Sequence, residues 1–330
     1  MTTAALEAFF DHLPQLKVVV VGDVMVDAYA WGFTQRMSPE APVPVLQIRE
    51  TEYRLGGAAN VALNLQAMGV QTELISVCGE DAVAAQLITC LQNAKLPTAG
   101  ILRSSSRPTT VKTRIMSDQQ QLLRIDEESL ADLEPKASAA LLQSVQKALQ
   151  GAHALILQDY DKGVLSSSNI AAILELARHA GVPVAVDPKK EHFFDYQGVA
   201  LFKPNLKELA DGLDRSLSKD KLAAIEEAVI ELQHKIAAKA VLLTLSEAGV
   251  IYRSATAEGR IPAHLRNIVD VSGAGDTVIA VAGCCLAANL PLHLLATLSN
   301  LAGGLVCESL GVVPIKKDTL LHEALLTIKE

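Results

Sequence analysis

The chain carries Asp270-Val271-Ser272-Gly273-Ala274-Gly275-Asp276-Thr277 directly ahead of an uncharged run from Val278 to Ala288. This pattern is a tight loop that opens a helix. Gly273 and Gly275 let the backbone turn and let a ligand approach with no Cβ in the way. The first amides of a helix have no internal partner and, with the helix dipole, form an anion site suited to a phosphate. Asp276 sets a carboxylate at the edge of that site. There it is placed to take a proton from a hydroxyl that attacks a bound phosphoryl group. The plainer alternative is an ordinary helix N-terminal acid, which is common and stabilising.

A second glycine pair, Gly56-Gly57, precedes Ala58-Ala59-Asn60 and a helical pattern through Val61, Leu65 and Met68. Asn60 falls in its first turn and offers both a donor and an acceptor to a hydroxyl. Polar residues then recur just after short apolar runs. Leu16–Val21 leads to Asp23 and Asp27, and His153–Gln158 leads to Asp159 and Lys162. Val182–Val186 leads to Asp187, Val199–Phe202 to Asn205 and Glu208, and Ala240–Leu245 to Ser246 and Gly249. Taken singly, each is a turn residue or a solvated acid. At the carboxyl ends of parallel strands they share one edge, where open α/β sheets bind ligands.

The elements needed to bring them together are legible in the periodicity. Apolar strand-like runs alternate with helical patterns, at Asp81–Leu91, after Pro135, at Ile170–Ala177 and at Leu222–Leu232. This predicts a mostly parallel sheet with helices on both faces. Two stretches depart from it. Trp31–Glu50 holds Pro39, Pro42 and Pro44, which rule out a helix, and Val45–Ile48 reads as extended. From Pro108 to Asp126 the period is two, with Ser117-Asp118-Gln119-Gln120 as a hairpin tip. A small antiparallel β lid, built from residues 31–51 and 103–126 of a single domain spanning 1–330, is expected. Its apolar face needs a cover, the cleft or a second subunit.

Bulk properties narrow the function. The 330 residues are 50% apolar and carry a formal net charge of -8. With no basic run, nucleic acid is not expected as a partner. Five cysteines without C-x-x-C spacing point to free thiols in a reducing cytoplasm. Eight histidines show no paired ligand spacing. Glu7 and Asp11 argue against a signal peptide. Asn289 and Pro291 split the apolar Thr277–Cys307 run into pieces too short for a bilayer of ~30 Å, so no membrane span is expected.

Three segments together resemble a known family, the ribokinase-like (PfkB) carbohydrate kinases. Gly56-Gly57-Ala58-Ala59-Asn60 resembles its first signature, and Asp270–Asp276 its second, with Val271 where threonine is usual. Asn205-Leu206-Lys207-Glu208 resembles its N-x-x-E element. The matches keep family order and spacing across nearly the whole chain. A narrower likeness lies in Val20–Asp27, Ser38–Val45, Asp159–Gly163 and Asp187-Pro188-Lys189, which look like D-glycero-D-manno-heptose-7-phosphate kinases of lipopolysaccharide biosynthesis. Some such relatives carry a nucleotidyltransferase domain after the kinase, and the sequence to Glu330 holds no H-x-G-H signature for one. Gly311-Val312-Val313 also departs from a common G-T-x.

The resemblance implies a kinase using ATP and Mg²⁺. Asp276 would be the base, and Gly273, Ala274 and Gly275 would hold the transferring phosphoryl charge. Asn205 and Glu208 would organise a hydrated Mg²⁺. Ser246, Gly249 and Asn300 would lie near the nucleotide, and Asp23, Asp27, Gly57, Asn60, Asp159 and Asp187 near the sugar. A monovalent cation near the Asp270 loop is a common family feature that the sequence leaves open. A phosphate on the sugar needs its own cations, with Lys112, Arg114, Arg124, Lys162, Lys189 and Arg36 as candidates and Lys162 foremost. A sugar-phosphate substrate and a homodimer are expected. Kinases for fructose 6-phosphate or ribose share the general motifs, and a non-catalytic regulator would be free to lose Asp276. A dinucleotide-binding dehydrogenase is disfavoured, because no G-x-G-x-x-G follows the first strand.

Overall fold

The computed structural model describes residues 2–117, 120–264 and 266–327. Helix α1 (Thr3–His12) leads to β1 (Lys17–Gly22), and Asp23 alone separates β1 from β2 (Val24–Met37). The chain returns as β3 (Pro44–Gly57) and enters α2 (Ala58–Ala67). There follow β4 (Gln71–Gly79), α3 (Ala82–Asn93), β5 (Ile101–Ser104), β6 (Val111–Ser117), β7 (Gln120–Glu127) and α4 (Pro135–Ala148). Next come β8 (Ala154–Gln158), α5 (Ser167–Ala180), β9 (Val184–Asp187), β10 (Leu201–Phe202), α6 (Leu206–Leu213), α7 (Leu222–Ile236) and β11 (Ala240–Thr244). The chain finishes with β12 (Val250–Ser254), β13 (Glu258–Ile261), α8 (Ala274–Ala287), α9 (Leu292–Val306) and α10 (Lys317–Thr327).

The main sheet has the order β13-β12-β11-β10-β9-β8-β1-β4-β5. It is parallel from β11 to β5, and β12 and β13 add antiparallel pairs at one edge. β1 explains the layering. Its Val18 and Val20 pack on one face with Leu65 of α2 and Ile279 of α8; Val19 and Val21 pack on the other with Leu141 of α4 and Ile170 of α5. A strand buried on both faces reads as a continuous valine run, and each fully buried valine stabilises by roughly 1.5–3 kcal/mol.

The second sheet has the order β3-β2-β6-β7. β2 pairs antiparallel with β3 but parallel with β6, and β6 pairs antiparallel with β7. The sheet is therefore larger than the 31–51 and 103–126 segments read from sequence. It begins at Val24, and β3 runs on to Gly57. Ile101–Ser104, which overlaps the expected 103–126 segment, belongs to the main sheet, where it pairs with β4. The reason lies in Val24–Ala30, which follows Gly22-Asp23 without a turn and is buried throughout. Asp27 is consequently a strand residue, not a loop residue. The Asp118-Gln119 hairpin tip lies outside the described residues.

The uncharged run is the buried pair α8 and α9, separated at Asn289, whose φ of 53° ends the first helix, and at Pro291. Among the described residues no helix is long and apolar enough to cross a membrane.

Candidate active site

Asp276 sits in the first turn of α8 and is 4% exposed. Three donors hold its carboxylate. Asn60 Nδ2 donates to Oδ2 at 2.8 Å, and Tyr160 Oη and Gln158 Nε2 donate to Oδ1 at 2.8 and 3.1 Å. Burial raises its pKa to about 6, helped by the charge of Asp187 and opposed by the Asn60 and Tyr160 hydrogen bonds. A carboxylate so tuned is ionised at neutral pH yet more basic than an exposed one. Burial and the neighbouring Asp276 charge push the Tyr160 hydroxyl well above its ordinary range, so it stays a donor.

The loop ahead of α8 has the geometry of an anion cradle. Gly273 is left-handed at φ 78°, and a Cβ there would lie 2.8 Å from Asn60 Nδ2. Gly57 has φ 58°, and a Cβ there would lie 2.4 Å from the Asp23 carbonyl oxygen. Both positions need glycine, for conformation and for space. In contrast, a Cβ at Gly275 would meet only Lys203 Nζ at 3.9 Å and Asp187 Oδ2 at 4.0 Å. The space over the first amides of α8 is bordered by a lysine.

Lys203 is 3% exposed and pairs with Asp187 at 2.9 Å. Both stand at the carboxyl edge of adjacent strands, as do Gln158 and Asp23, since the sheet order places β10, β9, β8 and β1 side by side. The two other strand-end acids differ from the sugar-facing role suggested by sequence. Asp23 accepts the backbone N–H groups of Tyr160, Lys162 and Val164 at 2.9, 3.2 and 3.1 Å. Asp159 accepts the Tyr196 hydroxyl at 2.7 Å and the Asp161 amide at 2.8 Å. Burial first, then the Asp23 charge, raises Asp159 to about 7. These acids shape the 159–164 loop that carries Tyr160.

Asn205 and Glu208 form a capping box on α6, each side chain accepting the other's backbone N–H at 2.8 Å. The other Glu208 oxygen pairs with Lys189, whose ammonium lies 5.1 Å from the centre of the Tyr160 ring. Burial would lower the Lys189 pKa, but Asp187 and Glu208 outweigh it and the pKa rises. Among the described residues no three His, Cys, Asp or Glu side chains group as ligands for a bare metal ion. That donor set fits a hydrated ion carried on phosphate oxygens and touched through water.

On the far side of the loop, Gly249 and Asn300 converge on one segment. A Cβ at Gly249 would lie 2.0 Å from the Ile261 carbonyl oxygen, and Asn300 Nδ2 donates to the Pro262 carbonyl at 2.9 Å. Ser246 stands exposed in the same turn as Gly249. Asp270 accepts the Ser272 and Gly311 amides at 2.9 and 2.8 Å, tying the loop to the C-terminal segment.

The candidate cations divide. Lys112 pairs with Asp126 and Glu128 at 3.1 and 3.3 Å, Lys162 with Glu128 at 2.9 Å, and Arg124 with Asp126 at 2.8 Å. They form one cluster between the second sheet and the 159–164 loop. Arg114 pairs instead with Asp27, and Lys189 belongs to the Glu208 side. Arg36 is exposed near the outer end of β2 and joins neither group.

Sequence reasoning missed Gln158, Tyr160, Lys203 and Asn64. Tyr160 lies within the quoted Asp159–Gly163 segment and Lys203 two residues before the N-x-x-E element, yet nothing in a sequence marks a lysine as buried. Asn64 had a signal: a polar residue four positions after Asn60, on the face carrying Val61 and Leu65.

The model of the pfkB family carbohydrate kinases matches residues 15–318. The bifunctional protein HldE of Methylobacillus flagellatus is 39% identical over 319 residues, which is 96% of this chain and 65% of that protein. Among solved structures, Escherichia coli phosphofructokinase-2 in complex with potassium superposes with a TM-score of 0.79 at 18% identity, covering 96% of this chain and 99% of that one. Arabidopsis thaliana ribokinase complexed with ribose and ATP gives 0.71 at 19%, covering 93% and 98%. The structural likenesses carry the fold, and the sequence matches carry the kinship. The chain belongs to the pfkB family of carbohydrate kinases.

Proposed function

We propose that this kinase transfers the γ-phosphoryl group of ATP to the anomeric hydroxyl of D-glycero-D-manno-heptose 7-phosphate, giving the 1,7-bisphosphate used for lipopolysaccharide precursors. The observation that carries the reaction is Asp276, buried, held by three donors and set at the rim of an amide-lined loop. Asp276 takes the hydroxyl proton while the sugar oxygen attacks phosphorus and the bond to the ADP oxygen breaks. The amides at the start of α8 and the Lys203 ammonium stabilise charge on the transferring group. A hydrated Mg²⁺, when bound, would neutralise charge on the ATP phosphates, and Asn205 and Glu208 would hold it through water. Ser246, Gly249 and Asn300 would border the nucleotide. A monovalent cation beside the Asp270 loop is part of the reading, since the potassium complex is of a protein with this fold.

The heptose 7-phosphate assignment rests on the HldE likeness and on the cluster of Lys112, Lys162 and Arg124, three cations against the two carboxylates Asp126 and Glu128. Asp27, Gly57 and Asn60 would border the sugar, with Arg114 beside Asp27. Residues 24–57 and 111–127 would close as the lid. Met37, Ile48, Leu123 and Ile125 leave its surface apolar and exposed, which supports a homodimer through that sheet. The kinase is assigned to the cytoplasm, where ATP is supplied.

The test is ADP release with Mg-ATP and a panel of heptose 7-phosphate, unphosphorylated heptose and fructose 6-phosphate. Preference for the first is expected. Preference for either of the others overturns the substrate and leaves the kinase standing. Light scattering is expected to give a dimer, and a monomer at micromolar concentration removes the interface.

A further inference from the structure

Asn64 is completely buried in α2, touches no presumed substrate position, and yet joins three parts of the site. Its Oδ1 accepts the backbone N–H of Ile315 at 2.9 Å and faces Thr277 Oγ1 at 3.1 Å. Its Nδ2 donates to the carbonyl of Asn60 at 2.9 Å and to Asn60 Oδ1 at 3.2 Å. Asn60 Nδ2 then donates to Asp276 Oδ2 at 2.8 Å.

The direction of this chain is forced from one end. A backbone N–H only donates, so the Ile315 amide requires the oxygen of Asn64 to face it. The nitrogen of Asn64 must then face Asn60, so Asn60 turns its own oxygen toward Asn64. That leaves the Asn60 nitrogen, with its two protons, for Asp276. Each amide has one donor end and one acceptor end, so reversing one reverses the next. We propose that Asn64 is a positioning residue, which transmits the polarity of the Ile315 amide through Asn60 so that the reacting carboxylate always meets a donor.

The alternative orientation is costly. With Asn60 reversed, its carbonyl oxygen would confront the carboxylate of Asp276 in a buried site, where two acceptors face each other with no proton between them. The Asn60 bond also holds down the pKa of Asp276 against burial. The charged groups around that carboxylate are Asp187, Lys203 and Lys189, with Tyr160 as a neutral donor. None of them touches Asn64; its two links toward Asp276 are Asn60, which bonds the carboxylate itself, and the hydroxyl of Thr277, which does not.

The inference rests on Asp276 being the base, and the experiment separates the two. Asn64→Asp keeps size and the acceptor toward Ile315 but, when ionised, has no donor for Asn60 and so invites the reversal. The pH profile of kcat/KM for the sugar phosphate is measured for the wild type, Asn64→Asp and Asp276→Asn, each checked by thermal melting. The wild-type acid limb is expected near the Asp276 value of about 6. In Asn64→Asp it moves up by about one unit, and kcat falls roughly tenfold while the KM for ATP holds. A folded Asn64→Asp with an unmoved acid limb overturns the relay. Asn64→Ala, which adds no charge, is measured beside it, because a new carboxylate raises the Asp276 pKa by its charge alone: a limb shifted upward in Asn64→Ala supports the relay and an unmoved limb there overturns it. Near-normal turnover in Asp276→Asn removes the base itself, a different failure.

Discussion

Two polar regions flank the cleft, and they are built on opposite plans. Around Asp276 the partners are mostly neutral: an amide from Asn60, an amide from Gln158 and a phenol from Tyr160. Asn60 and Gln158 are fully buried, and Tyr160 is partly so. Around Lys112 and Lys162 the partners are charged and partly exposed, with side-chain exposures from 12% for Lys162 to 50% for Arg124. The difference matches two tasks. A base must hold one geometry and keep its lone pair, which neutral donors on rigid elements provide. On the proposed reading, a site that captures a doubly charged group needs cations that can leave their resting carboxylates, and ion pairs in contact with water exchange partners more readily than sealed ones.

The largest effect expected on this contrast comes from Asp276→Asn. It keeps the shape and removes the proton acceptor, so turnover should fall by ~10²–10⁴ while nucleotide affinity holds. Near-normal turnover would erase the distinction between the two regions. Glu208→Gln tests the boundary between them, because Glu208 is charged yet locked into a capping box. An increase of about tenfold in the Mg²⁺ needed for half-maximal rate is expected, with little change in sugar affinity. An unchanged Mg²⁺ titration reduces Glu208 to a helix cap. The smallest effect belongs to Lys162→Met. The KM for the sugar phosphate should rise about fivefold, with kcat nearly unchanged and the effect shrinking as salt is added. A loss confined to kcat would place Lys162 with the rigid region instead.

The same contrast explains what could be read without a structure. The strand ends, the two glycine-opened helices and Asp276 announced themselves, because loop geometry and phosphate binding demand particular residue types at short spacing. The sequence sets Asp23 and Asp27 together after the Leu16–Val21 run, since an apolar stretch after Gly22-Asp23 carries no mark that it changes sheets. Strands β12 and β13 lie at the edge of the main sheet and had no clear periodicity. Lys203 and Tyr160 were in view but unassigned, because burial and partner choice depend on neighbours distant in sequence. Asp23 shows the limit most clearly. Its type and place were legible, while its three amide partners, more than 130 positions away, were not.

Those three amides have a consequence for how the molecule breathes. The 159–164 loop has no helix or ladder of its own, so by secondary structure alone its backbone protons would trade quickly with solvent. Bound to a buried carboxylate beside the central strand β1, the protons of Tyr160, Lys162 and Val164 exchange only when their hold on Asp23 breaks. In heavy water they are expected to trade more slowly than the amides of a loop bonded to solvent alone. The segment that carries Tyr160 to Asp276 is thus tied to the sheet beneath it, although it has no regular structure of its own.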